Sequence, residues 1–137
     1  MTSEISVLRV LAPGRATGDA LVLDEPLSFW GGLDPETGLL IDAHHPQAGA
    51  SLTGRVLCMP SGRGSSSSSY VFAESIRAGT SPAAVVLGEP DAIVALGAIV
   101  ADELYGIEIP GVVADLSAVA TGERVTVRAD RPSGGQR

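Results

Sequence analysis

Pro60-Ser61-Gly62-Arg63-Gly64-Ser65-Ser66-Ser67-Ser68-Ser69 stands between an apolar run, residues 55–59, and a segment in which Tyr70, Val71, Phe72, Ala73 and Ile76 recur at helical spacing up to Gly79. The run before it reads as a strand. The segment after it reads as a helix of about three turns, opened by serine and closed by glycine. Working outward on the carboxyl side, Pro82 introduces a β-branched run, residues 83–87, of the kind buried on both faces of a parallel sheet. Residues 91–105 are long enough for a second helix, which Gly106 and Pro110 would end, although Gly97 counts against it. Residues 112–114 and 124–128 supply two last strands. On the amino side, residues 5–11 alternate ahead of Pro13-Gly14, and residues 20–23, 27–30 and 39–42 are short apolar stretches that read as strands. The loops between them, 31–38 and 46–54, are rich in glycine, proline and acids. The order is β-rich first, then alternating helix and strand. That describes an α/β fold in a single domain, residues 1–130, followed by a tail, 131–137, with the composition of a disordered end.

A length of 137 residues suits one compact domain, and 45% hydrophobic with only 4% aromatic residues requires an aliphatic core. A net charge of −7 has the wrong sign for neutralising nucleic-acid phosphates or binding an anionic membrane surface. Every basic residue is arginine. Without lysine there is no Schiff base, no pyridoxal phosphate chemistry and no Walker loop. Cys58 is the single cysteine, so neither an intrachain disulfide nor a cysteine-built zinc or iron–sulfur site can form within the chain, and a reducing, cytoplasmic setting is expected. The first eleven residues carry Glu4 and Arg9 in their apolar stretch, unlike a signal peptide, and the longest nearly unbroken apolar run, residues 92–101, is about half a membrane span.

By composition alone, glycine and serine together read as a flexible linker. Position argues otherwise. Inside a strand-loop-helix unit, glycine permits close backbone approach, a helix N-terminus offers free N–H groups, and Arg63 adds a planar charged fork suited to carboxylate or phosphate. The expected element is an anion-binding turn. His44 and His45 are adjacent and would face opposite ways on a strand, with Cys58 distant and no acid at ligand spacing, so a loop-edge pair is expected rather than a metal site. The competing functional reading is a non-enzymatic anion-binding module or a phosphohistidine carrier. Trp30 is either a core anchor or, followed by Gly31 and Gly32, a pocket wall. Cys58 is expected to be buried and inert, and Glu89, Asp91, Asp102 and Glu103 to lie at solvated helix ends and faces.

The strings SFWGGLDPETG (28–38), His45-Pro46, PSGRGSS (60–66), SPAAVVL (81–87) and ALGAIVADELYG (95–106), in this order, resemble the swivel domain of the aconitase X family over roughly residues 5–129. The resemblance implies a swivelling β/β/α fold and a hydro-lyase, or dehydratase, reaction on a small hydroxy-carboxylate, either cis-3-hydroxy-L-proline or (R)-5-phosphomevalonate. It further implies that the chain is a small subunit, active only with a large subunit, and that an iron or iron–sulfur centre belongs to that large subunit, with no cofactor bound by this chain. A more distant similarity to the aconitase swivel domain, with its Gly-Ser-Ser-Arg turn, places Gly64-Ser65-Ser66 on Gly-Ser-Ser. Ser65 is thereby implied as the catalytic base. Ser67 stands where aconitase has arginine, and Arg63, on the other side, is the candidate for its work. Gly62, Gly64, Ser66, Trp30, Gly31 and Gly32 complete the implied substrate-binding set.

Overall fold

Ile5 and Ser6 alone separate two strands that lie at opposite edges of one sheet, and this decides the architecture. The structure is a computed structural model that describes residues 2–64 and 66–130. Its strands are β1 (Ser3–Glu4), β2 (Val7–Ala12), β3 (Gly14–Val22), β4 (Val56–Met59), β5 (Ala84–Leu87), β6 (Gly111–Ala114) and β7 (Arg124–Ala129). Their spatial order is β1-β7-β3-β4-β5-β6-β2. Laid flat, such a sheet would hold its edges roughly 29 Å apart. The link from Glu4 to Val7 reaches only about 10 Å. The sheet therefore curls, and β2, antiparallel to β6, also comes into contact with β7. The centre, β3 to β6, is parallel, while β7 runs antiparallel to β3 and parallel to β1.

Because side chains alternate across a strand, the central strands feed two separate cores. Leu57, Met59, Val85 and Leu87 face the helices and pack with Phe72, Ile76, Val94, Ala98 and Ala101. Val56, Cys58, Ala84, Val86, Val112 and Ala114 fill the inside of the curl with Ala20, Val125 and Val127. Every residue of β4, β5 and β6 is buried, which explains their uninterrupted apolar sequences.

Helix α2 (Ser67–Ala78) stops at Gly79, whose φ of 81° is left-handed and whose N–H closes on the last carbonyls. Helix α3 (Ala92–Tyr105) starts at Asp91, which accepts the N–H groups of Ile93 and Val94 at 2.7 and 3.1 Å. Gly97 is inside α3 after all. A Cβ there would lie 2.9 Å from the Ser69 carbonyl and 3.0 Å from the Phe72 ring, so glycine is what lets α3 approach α2. Replacing the cap, Asp91→Ala, is expected to cost about 1 kcal/mol, read as a fall of a few degrees in Tm.

Two of the sequence-based strands do not form. Residues 27–30 contribute one bridge, Leu27 with Gly62, and then a four-residue helical turn, α1 (Phe29–Gly32), in which Trp30 and Gly31 depart from helical angles. Residues 39–42 make only single bridges, Leu39 with Ser51 and Leu40 with Leu33. Their apolar residues are anchors of an irregular segment: Leu27, Phe29, Leu33, Leu40 and Leu52 all drop into the helix-side core. In the opposite direction, β3 begins at Gly14, six residues before the apolar stretch at Ala20, because its first half pairs with β7 and exposes Arg15, Thr17 and Asp19. The expected tail, 131–137, lies outside the described residues. Among the described residues, no helix is long and apolar enough to cross a membrane.

Candidate active site

The loops leaving β4 and β5 are tied together at the carboxyl end of the sheet, where open α/β folds place their ligands. The Gly88 N–H donates to the carbonyls of Met59 and Pro60 at 3.2 and 3.0 Å. From there one loop runs through residues 61–66 into α2 and the other through Asp91 into α3.

The turn is not a linker, because two of its glycines are clamped. Gly62 bridges Leu27, and a Cβ on it would overlap the Asp91 carboxylate that caps α3. Gly64 has a φ of 111°, and a Cβ on it would overlap the Ser28 hydroxyl and approach that of Ser68 to 2.9 Å. Arg63, held between these two fixed points, is exposed. Ser66 is the N-cap of α2 and exposed; its carbonyl accepts from the N–H and the hydroxyl of Ser69 at 3.1 and 2.6 Å. Ser65 lies outside the described residues.

Trp30 is 62% exposed, which removes it from the core. The anchor is its neighbour Phe29, 1% exposed and stacked on Phe72 with ring centres 4.8 Å apart. Gly31 is exposed at a φ of 80°, a conformation that favours glycine. Gly32 is buried: a Cβ on it would lie 2.6 Å from Leu27, and its carbonyl accepts the Ile41 N–H at 2.8 Å. The structure thus brings residues 27–31 beside residues 62–64 and the first turn of α2, while Gly32 faces inward. Trp30→Phe is expected to leave stability within about 0.5 kcal/mol of the parent while changing substrate affinity or turnover in the assembled enzyme, checked by thermal melts beside steady-state kinetics.

His45 is buried and structural. Its Nδ1 accepts the Gln47 N–H at 3.0 Å, so Nε2 carries the proton and donates to the Glu25 carbonyl at 3.1 Å. Neither ring nitrogen is left to take a phosphoryl group. His44 is exposed, and its backbone N–H donates to the Asp42 carboxylate. Burial, and secondarily the charge of Glu123, push the Cys58 thiol up to about 12, so it stays protonated and is no metal ligand. Among the described residues no three His, Cys, Asp or Glu side chains gather as metal ligands. The described residues do not fit an iron or iron–sulfur centre.

The residues that sequence reading missed are Ser28 and Ser68. Ser68 is 2% exposed; its Oγ accepts the Trp30 N–H at 3.1 Å and lies 3.1 Å from the Ser28 Oγ. A signal existed, since Ser68 falls four residues before Phe72 and eight before Ile76, on the buried stripe of α2.

Comparison with known proteins gives a consistent result. The family model described as the aconitase X swivel domain matches residues 5–133. The chain is 50% identical over 108 residues to the cis-3-hydroxy-L-proline dehydratase of Pseudomonas aeruginosa, covering 79% of this chain but only 19% of that protein. It is 42% identical over 123 residues to the phosphomevalonate dehydratase small subunit of Thermococcus gammatolerans, covering 89% of each chain. Among solved structures, the holo-form crystal structure of Thermococcus kodakaraensis aconitase X superposes with a TM-score of 0.82 at 40% identity, covering 91% of each chain.

Proposed function

The chain belongs to the aconitase X swivel-domain family, and from that premise we propose that it is the small, swivel subunit of a hydro-lyase acting with a large subunit. Its substrate is a small hydroxy-carboxylate, of the cis-3-hydroxy-L-proline or (R)-5-phosphomevalonate type. The observation that carries this reading is the clamped turn at the carboxyl end of the sheet. Gly62 and Gly64 are each packed too tightly for any side chain, and Arg63 between them is presented to solvent. From an exposed position on a backbone held on both sides, a guanidinium can grip a carboxylate or phosphate through two parallel N–H bonds.

In the proposed reaction the Ser65 alkoxide takes the proton next to the substrate carboxylate, and the C–H electron pair becomes the new double bond as the C–O bond breaks. The hydroxide released leaves as water by taking up the proton that Ser65 gave up on ionising. Serine is a weak base in water. The backbone N–H groups at the start of α2 and the Arg63 charge favour the alkoxide form, and closure against the large subunit excludes solvent. Gly64 and Ser66 carry the backbone on either side of Ser65, and Trp30 with Gly31 forms a second wall. The iron or iron–sulfur centre is assigned to the large subunit. The test is co-expression with a large subunit of this family, followed by a dehydration screen of both substrates. Dehydration of one of them by the complex, and by neither subunit alone, is the expected result. A stable, metal-loaded complex that dehydrates neither would overturn the assignment.

A further inference from the structure

Ser28, Trp30 and Ser68 are joined by three hydrogen bonds whose directions follow from counting protons. The Trp30 N–H donates to the Ser68 Oγ at 3.1 Å. The single proton of Ser28 goes to the Trp30 carbonyl at 3.0 Å, so the bond between the two hydroxyls, 3.1 Å long, must use the proton of Ser68. The result is a closed ring: Trp30 N–H to Ser68, Ser68 to Ser28, Ser28 to Trp30 carbonyl. Both polar groups of one residue's backbone are held by two side chains from different elements.

This ring fixes the place where the chain most needs fixing. Trp30, with a ψ of 118°, and Gly31, with a φ of 80°, break the helical turn α1, and the Trp30 indole is mostly in solvent with little packing of its own. The same two hydroxyls are what Gly64 packs against. The ring thus holds three pieces in one arrangement: the Trp30 turn, the first turn of α2 and the glycine that follows Arg63.

We propose that Ser28 and Ser68 are positioning residues of the active site, holding Trp30 as a fixed wall for the substrate against the turn that bears Arg63. This rests on the functional reading above, in that a substrate must meet that wall. The ring itself can be tested without any activity, because Trp30 is the only tryptophan of the chain and reports its own mobility. In the full chain alone, Ser68→Ala should lower the fluorescence anisotropy of Trp30 while the far-ultraviolet dichroism is unchanged. In the assembled enzyme it should raise KM by about tenfold and hold kcat within about threefold, since the wall binds substrate and does not move its proton. A merely structural lesion would reduce the amount of folded complex and leave KM alone. Ser28→Ala opens the same ring at a half-buried position and should reproduce both effects if Ser68→Ala fails to fold. Where both single variants fold, the double variant should be no worse than either, because a ring is lost with its first member. Parent values of anisotropy in a folded variant lacking either hydroxyl would overturn the ring, whatever the fate of the dehydratase assignment. Lowered anisotropy with an unchanged KM in an active complex would overturn its role in substrate binding.

Discussion

Ser65→Ala is expected to lower the turnover of the assembled hydro-lyase by about a hundredfold or more, the range set by removing a group that moves a proton in the transition state. The substitution takes away one hydroxyl and no charge, so assembly with the large subunit should survive and the loss should fall on kcat. Ser67→Ala serves as the comparison within the same run of serines and should cost far less. Equal losses at the two positions would mean that the turn acts as a whole, and near-full turnover in Ser65→Ala would move the base to the large subunit. Arg63→Lys is predicted to act differently. It keeps the charge and loses the fork, so it should weaken substrate binding as well as rate.

Phe72→Ala carries the largest expected effect on stability, about 3–5 kcal/mol, seen as a Tm lower by roughly 10 °C or more. Phe72 is fully buried and touches three layers: the helix-side core, the Phe29 ring stacked on it, and the surface that Gly97 brings close. Truncation leaves a cavity between two helices that approach closely, where glycine offers no side chain to fill it. Because Phe29 precedes Trp30, the site should loosen along with the core. A loss below about 1 kcal/mol would show that α3 can settle onto α2 and close the gap.

The parts of the fold legible in the sequence were those where periodicity and punctuation agree. Gly79 closes a helix whose apolar residues repeat at three and four, residues 91–105 are long enough for a second that Gly106 ends, and the runs at 56–59, 84–87 and 111–114 are buried on both sides, so they read as strands without alternation. Between β3 and β4 the same logic misleads. Leu27, Phe29, Leu33, Leu40 and Leu52 are apolar because each reaches the core from an irregular backbone, and His45 satisfies that backbone from within. In the site, the glycines on either side of Arg63 were legible as a close-packed turn and not a linker, because close backbone approach demands glycine. Ser68 was not, because in a run of five serines nothing but helical phase tells the buried hydroxyl from its neighbours, and Ser28 was not, because only the folded chain brings it to Ser68. Trp30 was ambiguous for the reason that the ring reveals: its place is set by its backbone and leaves no packing signature. The type of chemistry came from the ordered family motifs, which individual residues could not have supplied.

The two-residue link between the sheet's opposite edges also bears on how the protein is made. Ser3 and Glu4 pair with Val125 and Thr126, and Val7 to Ala12 pair with Gly111 to Ala114, so β1 and β2, made before the rest of the domain, wait for its last strands. The parallel centre can collect as each strand-helix unit emerges, but the curl closes only after synthesis has passed Ala129. Contacts so distant along the chain make for slow folding and leave β2 an unpaired edge in the interim. The nascent swivel domain is therefore most vulnerable to misassociation just before β7 is complete, and conditions that slow translation of residues 111–129 should lower its yield more than those that slow residues 14–59.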